Sequence, residues 1–122
     1  LEESLLYILI AMKDKKIGRR SARCTGKACV SVTLAAAGYP EAPKKGMPIT
    51  LDRALLPAES HVIYSGVASN GSGVLVANGG RVLSACGEGE TILKAKENAY
   101  RAAEAVHFAE KYMRNDITLD VI

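Results

Sequence analysis

Hydrophobic positions change their spacing several times along these 122 residues, and each change marks an element. Leu1, Leu5, Ile8, Leu9 and Met12 recur at helical intervals, which predicts an amphipathic helix over residues 2–14 that stops before Gly18. From Ala28 the period shortens to two. Val30, Val32 and Leu34 alternate with Ser31 and Thr33, the pattern of a strand with one wet face. The stretch AGYPEAPKKGMP that follows carries two glycines and three prolines, so it reads as a loop. LDRALLP has room for at most two helical turns, opened by Asp52 and closed by Pro57. HVIYSGVA, GVLVA and RVLSAC are three further strand candidates, joined by SNGSG and NGG as in a meander, because Asn and Gly tolerate the positive φ of tight hairpins. Beyond Glu90 the period lengthens again. Ile92, Ala95, Ala99, Ala102, Ala103 and Val106 mark one face of a helix of about sixteen residues, starting at Glu90 or Thr91 and packing through small side chains.

This order of elements predicts an α+β fold: an antiparallel sheet of about four to five strands, covered by one long and one short helix. The first helix, residues 2–14, belongs to a preceding domain in this reading, with residues 15–27 as a connector and 28–122 as the domain proper. The acidic LEESLLYILIAM start lacks an initiator methionine, does not look like a signal peptide and is too short to span a bilayer, so the chain reads as cut from a longer protein. The three cysteines (Cys24, Cys29 and Cys86) are odd in number, not spaced as CxxC pairs and far from any histidine. No zinc site or disulfide framework is expected, and a reducing cytoplasm fits best.

Charge sharpens one segment. Between residues 13 and 27 seven cations face only Asp14, a local excess of +6 in a chain whose total is +3. A solvated connector explains such a run, and RNA or another acidic partner is the alternative. The one Phe and five Tyr are not interleaved with it as a base-stacking platform requires, so nucleic acid is not expected as a partner, and with too few apolar residues to span a bilayer neither is a membrane.

Catalytic chemistry has few candidates. His61 opens a strand and His107 closes a helix, and neither has a Ser or Cys partner at a recognisable spacing. Glu88, Glu90, Glu97 and Glu104 read as a solvated helix face and its approach, not as an acid and base pair. GSG at 71–73 and GEG at 87–89 lack the lysine and hydroxyl of a phosphate loop, so no catalytic residue and no metal ligand is assigned. The turn Asn78, Gly79, Gly80, Arg81 is different. It is either a hairpin in which Asn78 and Gly79 supply the left-handed residues and Arg81 points outward, or an anion nest of backbone N–H groups beside a forked cation.

ANGGRVL, followed by GETILKAKENAYRAAEAVHF and YMRNDI, resembles the C-terminal domain of the phosphoribosylamine–glycine ligase family of ATP-grasp enzymes. ACVSVTLAAAGYP, KKGMPI and VIYSG match the preceding half in the same order, so the resemblance covers residues 28–117. The chain departs from the family pattern at Tyr64, where His is common, at Thr118, where Gly is common, and in the connector, which has no Trp. The resemblance implies a purine-synthesis ligase that uses ATP and magnesium or manganese to phosphorylate glycine. The amine of 5-phosphoribosylamine then attacks the acyl phosphate. It places the nucleotide and metal sites in an upstream core, to which residues 1–14 would belong, and leaves this fragment inactive alone. It assigns the substrate phosphate to Arg81, Asn78, Gly79 and Gly80, with Lys45, Gly38, Tyr39 and Pro40 as a possible border. Arg114 and Asp116 are expected to pair with each other in preference to touching substrate.

Overall fold

The structure is a computed structural model that describes residues 1–18 and 22–121. Arg19 and Arg20 of the basic connector lie outside the described residues. Helix α1 spans Leu5–Lys13, inside the predicted range, and none of its side chains is buried. Leu5, Leu6, Tyr7, Leu9 and Met12 are all more than half exposed, so the helix has no core of its own to join here.

The centre of the domain is a three-stranded antiparallel sheet in which β6 (Arg81–Gly89) lies between β1 (Ala28–Ala35) and β3 (Ser60–Tyr64). The alternation read from β1 is real: Val30, Val32 and Leu34 are buried while Ser31 and Thr33 face solvent. Helix α2 (Ile92–Glu104) covers the inner face. Thr91 caps it by accepting a hydrogen bond from the Lys94 N–H at 3.2 Å, which satisfies one of the orphan donors of the first turn. Ala95, Ala99, Ala102 and Ala103 are completely buried, and a methyl added to Gly87 of β6 would collide with the backbone of Ala95 and Ala99. Helix and sheet therefore meet almost backbone to backbone. The buried Asn98 reinforces the contact, its Nδ2 donating to the Glu88 carbonyl at 2.8 Å.

The remaining strands divide differently from a single meander. β2 (Thr50–Leu51) pairs with β7 (Val106–His107), and β4 (Val67–Ser69) pairs with β5 (Leu75–Ala77), each as a separate two-stranded antiparallel ribbon. The short helix expected over LDRALLP is one 3-10 turn at Arg53–Leu55, capped by Asp52. Thr50 and Leu51 are extended because β7 offers them partners. HVIYSGVA breaks into β3 and β4 at Ser65–Gly66, where another chain segment crosses. A Cβ on Gly66 would lie 2.6 Å from the Arg81 carbonyl oxygen and 2.9 Å from the Gly79 Cα. The SNGSG turn behaves as its chemistry suggests: Asn70 Oδ1 accepts from the N–H groups of Ser72 and Val74, and Gly73 has φ +78°.

Candidate functional site

Among the described residues no helix covers the outer face of the central sheet, and the residues of that face follow from register. Direct partners across an antiparallel pair share a face, so Thr33 stands beside Ser84 and Ser31 beside Cys86. Continuing that alternation along β6 would put Val82 outside and Arg81 in the core. A bulge prevents this: Leu34 pairs with Leu83, but the next residue, Ala35, pairs with Arg81. The extra residue lets Val82 and Leu83 both bury their side chains and turns Arg81 outward. Hydrophobic burial of two consecutive residues thus aims the guanidinium at the open face.

There Arg81 joins Thr33, Ser65 and Ser84 around a cavity of about 550 Å³, closed at one side by Tyr39 and Gly80. The Arg81 side chain makes no ion pair among the described residues. A permanently charged fork surrounded by three aliphatic hydroxyls suits an anion with several oxygens. A second chamber of about 250 Å³ adjoins the first and shares Thr33, Tyr39 and Arg81 with it. Its other walls are largely apolar, Ala35, Tyr112 and Ile117 among them, with Arg114 at the rim. Tyr112 arrives there because its backbone exchanges two hydrogen bonds with Ala35 at the end of β1, 2.8 and 3.0 Å long. The Tyr100 hydroxyl, donating to the Arg114 carbonyl and accepting from the Ile117 N–H, fixes the rest of that tail.

Of the residues singled out in sequence, Arg81, Gly80 and Tyr39 come together and the others do not. Asn78 and Gly79 stay outside the cavity, and the left-handed turn expected at Asn78–Gly80 is absent, since none of the three has positive φ. No nest forms: the Asn78 N–H donates to the Gly66 carbonyl at 2.7 Å instead of facing a ligand. Glycine is needed here for close approach. Gly79 lies against Gly66, and a methyl on Gly80 would fall within the Tyr39 ring. Gly38 turns the chain at φ +80° ahead of Tyr39 and borders another hollow, and the exposed Pro40 and Lys45 do not line the Arg81 cavity. The neighbouring Lys44 pairs with Glu110 at 2.7 Å.

Thr33, Ser65, Ser84 and Tyr112 were missed as site residues. The outward position of Thr33 was legible in the alternation of β1, whereas Ser84 becomes its neighbour only through register. Arg114 and Asp116 do pair, through bonds of 2.8 and 2.6 Å from Nε and Nη2. That hydrogen-bonded fork holds the Asp116 carboxyl below the usual carboxylate range and raises the Arg114 guanidinium above its ordinary value. The basic connector is partly neutralised: Lys27 bonds Glu59 at 2.6 Å, which raises the lysine and lowers the carboxyl, and Arg23 lies 3.7 Å from Glu2.

A family model described as phosphoribosylglycinamide synthetase, C domain, matches residues 29–120, a range that includes every residue lining this face. The chain belongs to that family. It is 51% identical over 90 residues to the phosphoribosylamine–glycine ligase of Thermotoga maritima, a match covering 74% of this chain and 21% of the relative. It is 38% identical over 120 residues to the ligase of Rhizobium meliloti, covering 96% of this chain and 27% of that one. The crystal structure of the Thermotoga maritima ligase superposes with a TM-score of 0.65 at 50% identity, over 73% of this chain and 21% of that one. The chain therefore spans about a fifth to a quarter of the length of these relatives.

Thr118 lies near the end of the matched range. It is left-handed at φ +72° with its hydroxyl buried and unpartnered. No three His, Cys, Asp or Glu side chains among the described residues lie close enough to hold a metal ion. Among the described residues no helix is long and apolar enough to cross a membrane.

Proposed function

We propose that this chain serves as the C domain of an ATP-dependent ligase that joins glycine to 5-phosphoribosylamine, giving glycinamide ribonucleotide in purine synthesis. Its part is to close one side of the active site and hold the 5-phosphate of the amine substrate. The observation that carries this reading is the bulge in β6, which turns an unpaired Arg81 into a hydroxyl-lined cavity on a sheet face that no helix covers. A phosphate held there accepts two parallel N–H bonds from the guanidinium and further bonds from Thr33, Ser65 and Ser84. ATP, magnesium and glycine bind to segments outside this chain in this reading, and the reaction is cytoplasmic. Residues 1–27 form the end of the ligase core and the connector, and the exposed apolar side chains of α1 support that division because they need a covering surface.

Titration of the 122-residue chain with ribose 5-phosphate, followed by amide NMR, tests the phosphate site. Shifts should concentrate at Thr33, Ser65, Gly80, Arg81 and Ser84, and inorganic phosphate should compete. Shifts confined to Lys13–Lys27, or saturable binding that Arg81→Ala leaves intact, would refute it.

A further inference from the structure

A sugar phosphate leaves half of this site unused. 5-Phosphoribosylamine is polar along its whole length, yet the cavity that would take its phosphate adjoins a second chamber lined by Val32, Ala35, Ile117, Tyr39 and Tyr112, with Ser31 and Arg114 as its further polar residues. At about 250 Å³ that chamber is below the roughly 300–1,000 Å³ of sites for drug-sized ligands, and suits one flat ring system. Tyr112 is 62% exposed, which leaves its ring accessible to a ligand, whereas the ring of Tyr39, 44% exposed, is backed by Gly80. Arg114 adds a planar guanidinium at the rim, held by both carboxylate oxygens of Asp116. The two chambers share Thr33, Tyr39 and Arg81, so one molecule can reach from the hydroxyl-lined end to the aromatic end.

We infer that the joined chambers form a binding site for a nucleoside 5′-monophosphate. Its phosphate lies on Arg81, Thr33, Ser65 and Ser84, and its base lies among Tyr39, Tyr112 and Arg114. This inference rests on the phosphate reading of Arg81 above. Such a nucleotide competes with the sugar phosphate for the same guanidinium, which makes the site a sensor of nucleotide level as well as a substrate grip.

Calorimetric titration of the 122-residue chain with adenosine 5′-monophosphate and, separately, with ribose 5-phosphate separates the two ideas. Stacking of a base on an aromatic ring strengthens binding roughly 5- to 150-fold, so the nucleotide should bind at least about fivefold more tightly than the sugar phosphate. Tyr112→Ala should shrink that gap to less than about twofold, and Tyr112→Phe, which keeps the ring, should preserve it. The Tyr112 backbone bonds to Ala35 do not depend on the side chain, so neither variant removes that link to β1. Arg81→Ala should weaken both ligands. Equal affinities in the unmodified chain, or a gap that survives Tyr112→Ala, overturn the nucleotide site and leave the phosphate site standing. No binding of either compound, or no effect of Arg81→Ala on either, overturns both.

Discussion

Replacing Arg81 separates substrate grip from folding, because its side chain and its backbone do different things. The side chain lines the open cavity without an ion pair, whereas the carbonyl accepts from the Gly66 N–H at 3.1 Å and so helps to seat the chain crossing. Arg81→Ala removes the first and keeps the second. A charge-assisted hydrogen bond contributes about 1.5–3 kcal/mol, which corresponds to roughly a 10- to 150-fold fall in kcat/KM for 5-phosphoribosylamine in a ligase carrying this domain. Arg81→Lys should recover only part of the loss, since an ammonium keeps the charge but not the fork that spans two phosphate oxygens. The assay varies 5-phosphoribosylamine at saturating ATP and glycine, then repeats the series for those two substrates, whose half-saturating concentrations should change far less. An exposed side chain without partners changes stability by about 0.5 kcal/mol or less when removed. The thermal midpoint should therefore fall by less than about 3 °C. Unchanged 5-phosphoribosylamine kinetics, or a loss that follows the fraction of unfolded protein, would refute the reasoning.

Gly87→Ala places a methyl against the backbone of Ala95 and Ala99, so α2 must lift from the sheet; chemical denaturation should show a loss of about 3 kcal/mol or more. Thr118→Gly relieves a left-handed β-branched residue and removes an unpartnered buried hydroxyl, and should raise stability by about 1 kcal/mol in the same measurement. Lys111→Met strips the ammonium that donates to the carbonyls of Ala103 and Val106 at the end of α2, at a cost of about 1–3 kcal/mol, with faster amide exchange in the last turn. The carboxyls of Glu59 and Asp116 should titrate below their ordinary values in NMR. Their folded-state values are depressed, so their contribution to stability is present above about pH 4 and is lost as pH falls through the lower, folded-state values. Asp116→Asn should flatten that acid limb, and a limb unchanged by the substitution would count against the pair.

Local elements were legible because local chemistry decides them. The outward Ser31 and Thr33, the cap at Thr91, the alanine face of α2 and the Asn70 turn each depend on residues within one turn or one strand. The partition of strands was not. HVIYSGVA looks continuous by composition, yet it breaks at Ser65–Gly66 because Gly79 and the Arg81 carbonyl press against Gly66 from a segment more than ten residues later. Thr50 and Leu51 are likewise extended because Val106 and His107, some fifty residues on, supply their partners. Tertiary partners override the local signal in both cases.

The site repeats that division, and it changes why the NGGR turn matters. Two adjacent glycines before a cation suggest a left-handed nest, but backbone N–H groups are free for a ligand only where the chain has not used them. Here the Asn78 N–H belongs to Gly66, and the glycines make room for Gly66 and for the Tyr39 ring. What presents the cation is the next step of the ladder. An ordinary register would bury Arg81 without a partner, at a cost of several kcal/mol, so the pairing slips by one residue and Val82 takes the inward position. The valine that drives this slip adjoins the arginine in sequence, but the residues it registers against, Leu34 opposite Leu83 and Ala35 opposite Arg81, come from β1, nearly fifty residues earlier. An Arg before two apolar residues at the start of a central strand is therefore a cue to look for a bulge, and Val82→Thr would test it: a hydroxyl at that inward position weakens the preference for the slipped register, so the Arg81 and Val82 amides should exchange faster than those of Ser84 and Cys86.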